Sequence, residues 1–267
     1  MPDRLTLKID AGVAEVRLTR GEKSNALDDA MFEALIATGE RLKVARDVRA
    51  VVLSAEGRAF CAGLDLATFK AMSEAGGAGR LLTASRTPGG ANRAQQAVMV
   101  WREVPVPVIA ALQGPVFGGG LQLALGCDLR FAAGDAQLSV MEIRWGLVPD
   151  MGGLALLPEL VRADVARDLL WSGRVVGGEE ALALGLVTRL CADPRVAALD
   201  YARQVAMRSP DAVRAGKRLL NAASRMSLAE VLLRESEEQL ALIGSANQLE
   251  AVAANLEKRE PRFTDGL

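Results

Sequence analysis

Two carboxylates are the residues of this sequence best suited to proton transfer. Glu142 lies in an apolar stretch with Val140, Met141, Ile143 and Trp145, and Asp150 follows it eight positions later. An apolar environment raises the pKa of a carboxylic acid, so that it can accept and return a proton near neutral pH. A lone glutamate is more often an exposed surface residue, and Asp150 is equally placed to cap a helix. The residues alone leave both interpretations open.

A run of three glycines offers a second kind of chemistry. Gly118, Gly119 and Gly120 follow a short apolar strand and open a predicted helix, where the first N–H groups have no partner within the helix. Glycine lets the backbone approach a ligand, and the helix dipole favours negative charge, so this turn predicts a site for an oxyanion. The same glycines would also serve close packing of strand and helix.

Gln122 lies one turn beyond Gly119, on the same face of the predicted helix. It is the third candidate catalytic residue after Glu142 and Asp150. A glutamine can orient a water molecule or hydrogen-bond a carboxylate, but it cannot carry a proton at neutral pH.

The composition excludes several classes of protein. The chain of 267 residues contains no histidine, which excludes Ser-His-Asp and Cys-His catalysis and histidine metal sites. Cys61, Cys127 and Cys191 are isolated and odd in number, so neither a disulfide framework nor a metal site is expected. A net charge of −1 and 4% aromatic residues argue against binding nucleic acid or a membrane surface. The N-terminus lacks signal-peptide character, and we expect a cytoplasmic protein.

Alternating strands and helices must position these residues. A β-hairpin is predicted at 5–10 and 13–19, a helix from about Asp28, and a buried strand at 49–54. Small residues at 61–63 form another turn after a strand, before a helix that Asp65 would cap. Further strands are predicted at 129–133, 137–140 and 186–190, and helices at 165–172 and 178–184. The pattern predicts an α/β fold.

From about Pro194 the pattern is wholly helical, with helices predicted at 195–207, 210–222, 227–243 and 246–257. We therefore divide the chain into a mixed core, 1–193, and a helical region, 194–267. Residues 73–92 are rich in Gly, Ala and Ser and are predicted to form a mobile loop or lid.

Short motifs in a fixed order cover nearly the whole chain and resemble those of one family. They are Asn25-Ala26-Leu27-Asp28, residues 57–66 (GRAFCAGLDL), residues 114–120 (GPVFGGG) with 127–130 (CDLR), Glu142, residues 146–149 (GLVP), Gly152-Gly153, and residues 258–263 (KREPRF). Each is weak alone, but together they resemble the crotonase superfamily, the enoyl-CoA hydratase/isomerase group.

The resemblance implies a β-β-α spiral core and a C-terminal helical region that assembles trimers, usually as a dimer of trimers. It implies a coenzyme A thioester as substrate, with no cofactor besides the coenzyme A that the substrate carries. It assigns an oxyanion hole to the backbone N–H groups of Ala62 and Gly119. One such donor to an enolate oxygen is typically worth roughly 3–4 kcal/mol of transition-state stabilisation.

The catalytic carboxylates match the family only in part. Hydratases of the family carry glutamate at the position of Gln122, and Glu142 matches their second glutamate. Asp150 resembles the dienoyl-CoA isomerase branch, which has an aspartate at position 122. We therefore expect double-bond isomerisation of an enoyl- or dienoyl-CoA, with Glu142 and Asp150 as the proton carriers. Hydration by Glu142 alone, or a catalytically silent protein that binds acyl-CoA, remain alternatives.

The remaining candidate residues are expected to contact substrate. Lys258 and Phe263, by resemblance, meet the adenine end of coenzyme A from a neighbouring subunit, although a solvated surface charge is the commoner role of any one lysine. Cys61 is not expected to be a nucleophile, because no histidine is present to activate it. The expected substrate-binding residues are Lys23, Ala26, Cys61, Gly63, Asp65, Leu66, Phe117, Gly118, Pro149, Lys258 and Phe263.

Overall fold

Two β-sheets form the centre of the fold. The structure, a computed structural model, describes residues 4–74, 81–82 and 84–265. The strands in these ranges are β1 (Leu5–Asp10), β2 (Val13–Leu18), β3 (Ala50–Ala55), β4 (Val108–Leu112), β5 (Pro115–Phe117), β6 (Leu129–Ala133), β7 (Gln137–Ser139), β8 (Val176–Gly177) and β9 (Arg189–Cys191). The larger sheet has the order β1-β2-β3-β4-β6-β9, and the smaller has the order β5-β7-β8. The larger sheet is parallel except for the β1–β2 hairpin.

Helices cover both faces of the larger sheet. They are α1 (Asp29–Lys43), α2 (Leu66–Glu74), α3 (Arg93–Glu103), α4 (Gly119–Leu125), α5 (Gly153–Leu156), α6 (Ala163–Ser172), α7 (Gly178–Leu184), α8 (Pro194–Ala206), α9 (Pro210–Ala223), α10 (Leu228–Leu242) and α11 (Ala246–Glu257). Short 3₁₀ helices lie at Gly21–Lys23, Glu142–Trp145 and Leu157–Glu159.

Every residue of β3 and β4 is buried, as expected for parallel strands covered on both sides. On one side their side chains join the core that contains α1 and α3. On the other, Val52 and Ile109 pack with Ala198 and Ala202 of α8, whose small side chains let the helix lie close to the sheet. The mixed α/β fold predicted from the sequence is confirmed.

Most predicted elements are present near their predicted positions. The β1–β2 turn has positive φ at Ala11 (46°) and Gly12 (79°), the backbone of a tight hairpin. Asp28 caps α1 by accepting from the Met31 N–H at 2.9 Å. The last strand begins at Arg189, three residues later than predicted, because Leu186 and Val187 are buried in the core before the pairing with β6 starts.

Helix α3 was not predicted. It follows directly on the glycine-rich stretch 73–92 and begins at a capping box in which Asn92 and Gln95 bond each other's backbone N–H groups. Residues 75–80 and 83 of the predicted mobile loop lie outside the described residues. The division of the chain after residue 193 stays a prediction, and α8, the first helix beyond it, packs on the main sheet.

Helix α10 differs from the other long helices because none of its residues is buried. Leu228, Leu232, Leu233 and Leu240 are each more than half exposed. None of the helices in the described ranges is long and apolar enough to span a membrane.

Candidate active site

A cavity of about 520 Å³ lies where the two glycine-rich turns approach each other. It is mainly apolar, and the titratable side chains among its described lining residues are Lys23, Asp65, Glu142 and Asp150. The lining comprises residues 23, 24, 26, 32, 62–67, 69, 81, 94, 117–119, 122, 141, 142, 145, 147, 148, 150 and 151. The sequence-predicted carboxylates and oxyanion turn therefore meet at one site.

The glycine run at 118–120 serves both of the roles that the sequence left open. Gly118 has φ +52° and ψ −119°, which favours glycine. A Cβ at Gly120 would lie 2.2 Å from the Cys61 carbonyl oxygen, so this glycine is needed for close packing. The Gly119 N–H is the first of helix α4 and has no acceptor among the described residues. It is therefore free to bind a ligand oxygen.

The second turn, 61–65, corrects the expected oxyanion donor. The Ala62 N–H donates to the Ser24 carbonyl oxygen at 3.0 Å and is not free for a ligand. Leu64 pairs with Leu27 in a bridge in which the Leu27 N–H donates to Gly63 O and the Asp65 N–H donates to Leu27 O. In an extended backbone the intervening Leu64 N–H faces the opposite way. It has no acceptor in the described part of the chain.

Gly63 brings Leu64 close to the other turn. A Cβ at Gly63, where φ is +96°, would lie 2.9 Å from Phe117 O and 3.7 Å from the Gly119 nitrogen. The free N–H donors where the two turns meet are therefore those of Leu64 and Gly119. Gly119 was an expected donor, whereas Leu64, two residues further along the chain, replaces the expected Ala62.

Glu142 begins the 3₁₀ helix after β7 and lines the cavity. Its Oε1 accepts from Gln122 Nε2 at 2.7 Å, whereas Oε2 is buried and has no hydrogen-bond partner among the described residues. Burial raises the pKa of this carboxyl, and the charge of Asp150 adds to the rise, while hydrogen bonds from its own N–H and from Gln122 oppose it. An unpartnered carboxylate oxygen with a raised pKa is suited to accept a proton.

Asp150 lies in the loop between the 3₁₀ helix and α5 and also lines the cavity. Asp150 is exposed, yet desolvation by the surrounding protein raises its pKa, against the hydrogen bond from its own N–H. Glu142 and Asp150 are thus two carboxyl groups that line the same cavity, and each has a raised pKa.

Comparison with known proteins shows the family of the chain. The family model of enoyl-CoA hydratase/isomerase matches residues 8–266. The chain is 33% identical over 261 residues to human enoyl-CoA hydratase domain-containing protein 2, mitochondrial, which covers 95% of this chain and 86% of that protein. It is 30% identical over 255 residues to the Delta(3,5)-Delta(2,4)-dienoyl-CoA isomerase, mitochondrial, of Mus musculus, covering 94% and 78% of the two chains. The crystal structure of an enoyl-CoA hydratase from Bacillus anthracis superposes with a TM-score of 0.87 at 28% identity, covering 98% of this chain and all of that one.

The chain belongs to the enoyl-CoA hydratase/isomerase family. This membership, within the crotonase superfamily, confirms the resemblance read from the motifs. It supports an enzyme of the enoyl-CoA hydratase/isomerase class and is consistent with an acyl-CoA thioester as substrate.

Most of the substrate-binding residues expected for this family member line the cavity. Asp65 also caps α2 through the Ala67 N–H at 2.8 Å and pairs with Arg20 at 2.7 Å, which lowers its pKa despite its burial. The expected residues found in the lining are Lys23, Ala26, Gly63, Asp65, Leu66, Phe117 and Gly118.

Four expected residues lie elsewhere in this chain. Cys61 is fully buried behind the turn, and burial raises the pKa of its thiol to about 12, so it is inert. Pro149 is buried and lines a small neighbouring cavity. Lys258 ends α11 with φ +54°, and the Phe263 carbonyl accepts from Arg49 at 2.9 Å; neither lines the cavity.

Sequence reasoning missed several residues of the site. Leu64 contributes a backbone N–H, and no side-chain type marks such a residue. Phe69 of α2 and Trp145 pack against each other with ring centroids 5.3 Å apart and form part of the cavity wall. Their contact joins segments far apart in sequence, so no local pattern could reveal it.

No group of three or more cysteine, aspartate or glutamate side chains within the described ranges could hold a metal ion.

Proposed function

We propose that this family member isomerises the double bond of an enoyl- or dienoyl-CoA. The observation that carries the proposal is that two acids, Glu142 and Asp150, line one cavity, where the amide of Gln122 is hydrogen-bonded to Glu142. The relatives include hydratases as well as a dienoyl-CoA isomerase, so the choice between the two reactions rests on these residues.

The reaction begins with the thioester carbonyl bound by the N–H groups of Leu64 and Gly119. Removal of the proton on the carbon next to the carbonyl leaves an enolate, whose negative oxygen these two donors stabilise by about 3–4 kcal/mol each. In a 3-enoyl-CoA the charge spreads over a dienolate. One carboxylate removes the proton from C2 and the other carboxylic acid returns a proton to C4, so the double bond moves without net loss of atoms.

Hydration needs a second group that activates water, and here the side chain at position 122 is an amide. Both hydrogen-bonding ends of Gln122 are engaged: Oε1 accepts from two backbone N–H groups and Nε2 donates to Glu142. Gln122 therefore cannot act as the second acid or base. Hydration by Glu142 alone would be slow.

The proposal also includes the oligomeric state of the enzyme and its location in the cell. The exposed leucines of α10, and Leu249, Val252 and Leu256 of α11, are apolar positions that would be covered by pairing with further copies, as a trimer or a dimer of trimers. Lys258 and Phe263 would then meet the coenzyme A of a neighbouring copy. Coenzyme A enters only as part of the substrate, and a cytoplasmic location stays a prediction.

The test compares isomerisation of 3-hexenoyl-CoA with hydration of crotonyl-CoA. We expect the parent protein to isomerise and to hydrate poorly, and Asp150→Asn to lower isomerisation about a hundredfold or more, as for loss of a general acid or base. Gln122→Glu should raise hydration. Asp164→Asn is the matched control. Asp164 is an exposed aspartate of α6 that pairs with Arg162, and its substitution should change neither rate.

Efficient hydration by the parent protein would overturn the preference for isomerisation. A parent protein that binds acyl-CoA but transforms neither substrate would instead be a silent homologue.

A further inference from the structure

The amide of Gln122 is held in one orientation. The side chain is 3% exposed, and its Oε1 accepts from the N–H groups of Met151 at 2.8 Å and Gly153 at 3.0 Å. These two bonds fill both lone pairs of the oxygen. Reversing the amide would place its NH₂ group against two donors, so Nε2 must face Glu142.

That orientation makes the two oxygens of Glu142 unequal. Oε1 lies 2.7 Å from Gln122 Nε2 and must act as an acceptor in either protonation state. When Glu142 is protonated, its hydrogen therefore belongs on Oε2, the oxygen without a partner among the described residues.

We propose that Gln122 is a positioning residue that ties Glu142 Oε1 to the backbone at Met151 and Gly153, so that Oε2 alone takes up and returns the proton. The inference deepens the proposed function, on which it rests for the reaction served. It adds to the proposed function that one amide, that of Gln122, is bonded both to Glu142 and to the backbone next to Asp150. Met151 directly follows Asp150, so the same side chain joins the segment that carries Asp150 to the carboxylate of Glu142.

The charged groups around Glu142 are few. Lys23, Asp65 and Asp150 share the cavity with it, and Arg144 follows it on the same 3₁₀ helix with an exposed side chain. Of these charged groups, Asp150 raises the pKa of Glu142. The hydrogen bond from the uncharged Gln122 lowers it. Loss of the Gln122 amide should therefore raise the pKa of Glu142.

The test replaces Gln122 with methionine, which keeps the length of the side chain and removes both hydrogen-bonding groups. Gln96→Met is the matched control. Gln96 is 4% exposed on α3 and donates to Glu40 and Glu103, away from the cavity. Both variants remove a buried amide, but only Gln122→Met touches Glu142.

The direct measurement is an infrared titration of the whole protein, in which Glu142→Gln identifies the carboxylic acid C=O band of Glu142. In Gln122→Met we expect this band to move to higher frequency, because its C=O loses a hydrogen bond, and to titrate at higher pH. The acidic limb of kcat/KM for isomerisation should move in the same direction. We expect kcat to fall about tenfold or more, as for removal of a hydrogen bond to a charged group. Gln96→Met should lower Tm without either change.

An unchanged band frequency and an unchanged titration in Gln122→Met would overturn the inference, whatever the activity. If Gln122→Met does not fold, Gln122→Glu keeps an acceptor for Met151 and Gly153 and places a second titrating carboxyl beside Oε1. The Glu142 band should then titrate in two coupled steps, and a single unshifted step would contradict the proposal. A shifted Glu142 band in a protein that does not isomerise would leave the inference standing and refute the proposed function.

Discussion

Two buried charged clusters in this protein are built in opposite ways. Lys217 on α9 is 8% exposed, and its Nζ donates to three acceptors: Trp101 O at 3.3 Å, Val106 O at 3.0 Å and Asp128 Oδ2 at 2.7 Å. The ammonium has three hydrogens, so each has a partner. Glu142 has one oxygen bonded to Gln122 and the other with no partner in the described part of the chain.

The difference separates a structural cluster from a functional one. Asp128 Oδ2 also accepts from the Val108 N–H at 2.7 Å, so the Lys217 cluster joins α9 to the start of β4, and each hydrogen of the ammonium has an acceptor. A buried oxygen without a hydrogen-bond partner lowers stability. Glu142 Oε2 lies in a residue that lines the cavity, which indicates that this oxygen serves a bound ligand and not the fold. We expect the first cluster to matter for folding and the second for turnover.

The largest expected effect is the loss of activity in Glu142→Gln. An amide cannot take up the proton, so the isomerisation rate should fall by about a hundred- to ten-thousandfold. The measurement is kcat/KM with 3-hexenoyl-CoA, alongside Tm. A drop in rate that accompanies a large drop in Tm would place Glu142 among the structural residues and break the comparison.

The next effect is a loss of stability in Lys217→Met. Removing one partner of a buried charged pair leaves Asp128 with an uncompensated charge, which costs about 3–5 kcal/mol of unfolding free energy. Urea denaturation measures it. Lys43→Met, at a partly exposed lysine paired with Glu40 and Glu103, is the control and should cost about 1 kcal/mol or less. A variant at 217 that stays stable but loses kcat would contradict the structural role.

The smallest effect is a pH dependence of stability. Burial raises the folded-state pKa of Glu142 above its ordinary 4.5, so the folded protein binds this proton more tightly than the unfolded chain. The wild type should therefore lose stability relative to Glu142→Gln as pH rises from about 4.5 through the raised pKa, and the difference between the two should be constant below that window. Urea midpoints across pH 4 to 8 measure the difference. A wild type that gains on the variant as pH rises would show that Glu142 is held as a favourable ion.

The sequence predicted the components of the fold and site better than their contacts. Strand alternation located the hairpin. The helix starts predicted near residues 28, 210 and 227 agree with the structure, where Asp28, Ser209 and Ser227 are the N-caps, because such signals are local. The motifs also located residues that line the cavity, such as Gly63, Asp65 and Phe117. The prediction for Ala62 was wrong because the direction of a backbone N–H depends on its neighbouring segment, here the bond to Ser24.

The chain's own sequence determined its family, its α/β class, the absence of histidine chemistry and the presence of two acids near a glycine turn. These follow from residue types and from spacings within one turn or strand. Only the tertiary structure decided that Leu64 rather than Ala62 offers a free donor, that Gln122 is held by Met151 and Gly153, and that one oxygen of Glu142 has no partner. Such facts depend on which distant segments share a hydrogen bond, and a hydrogen bond is decided by angles and tenths of an ångström that spacing along the chain does not specify.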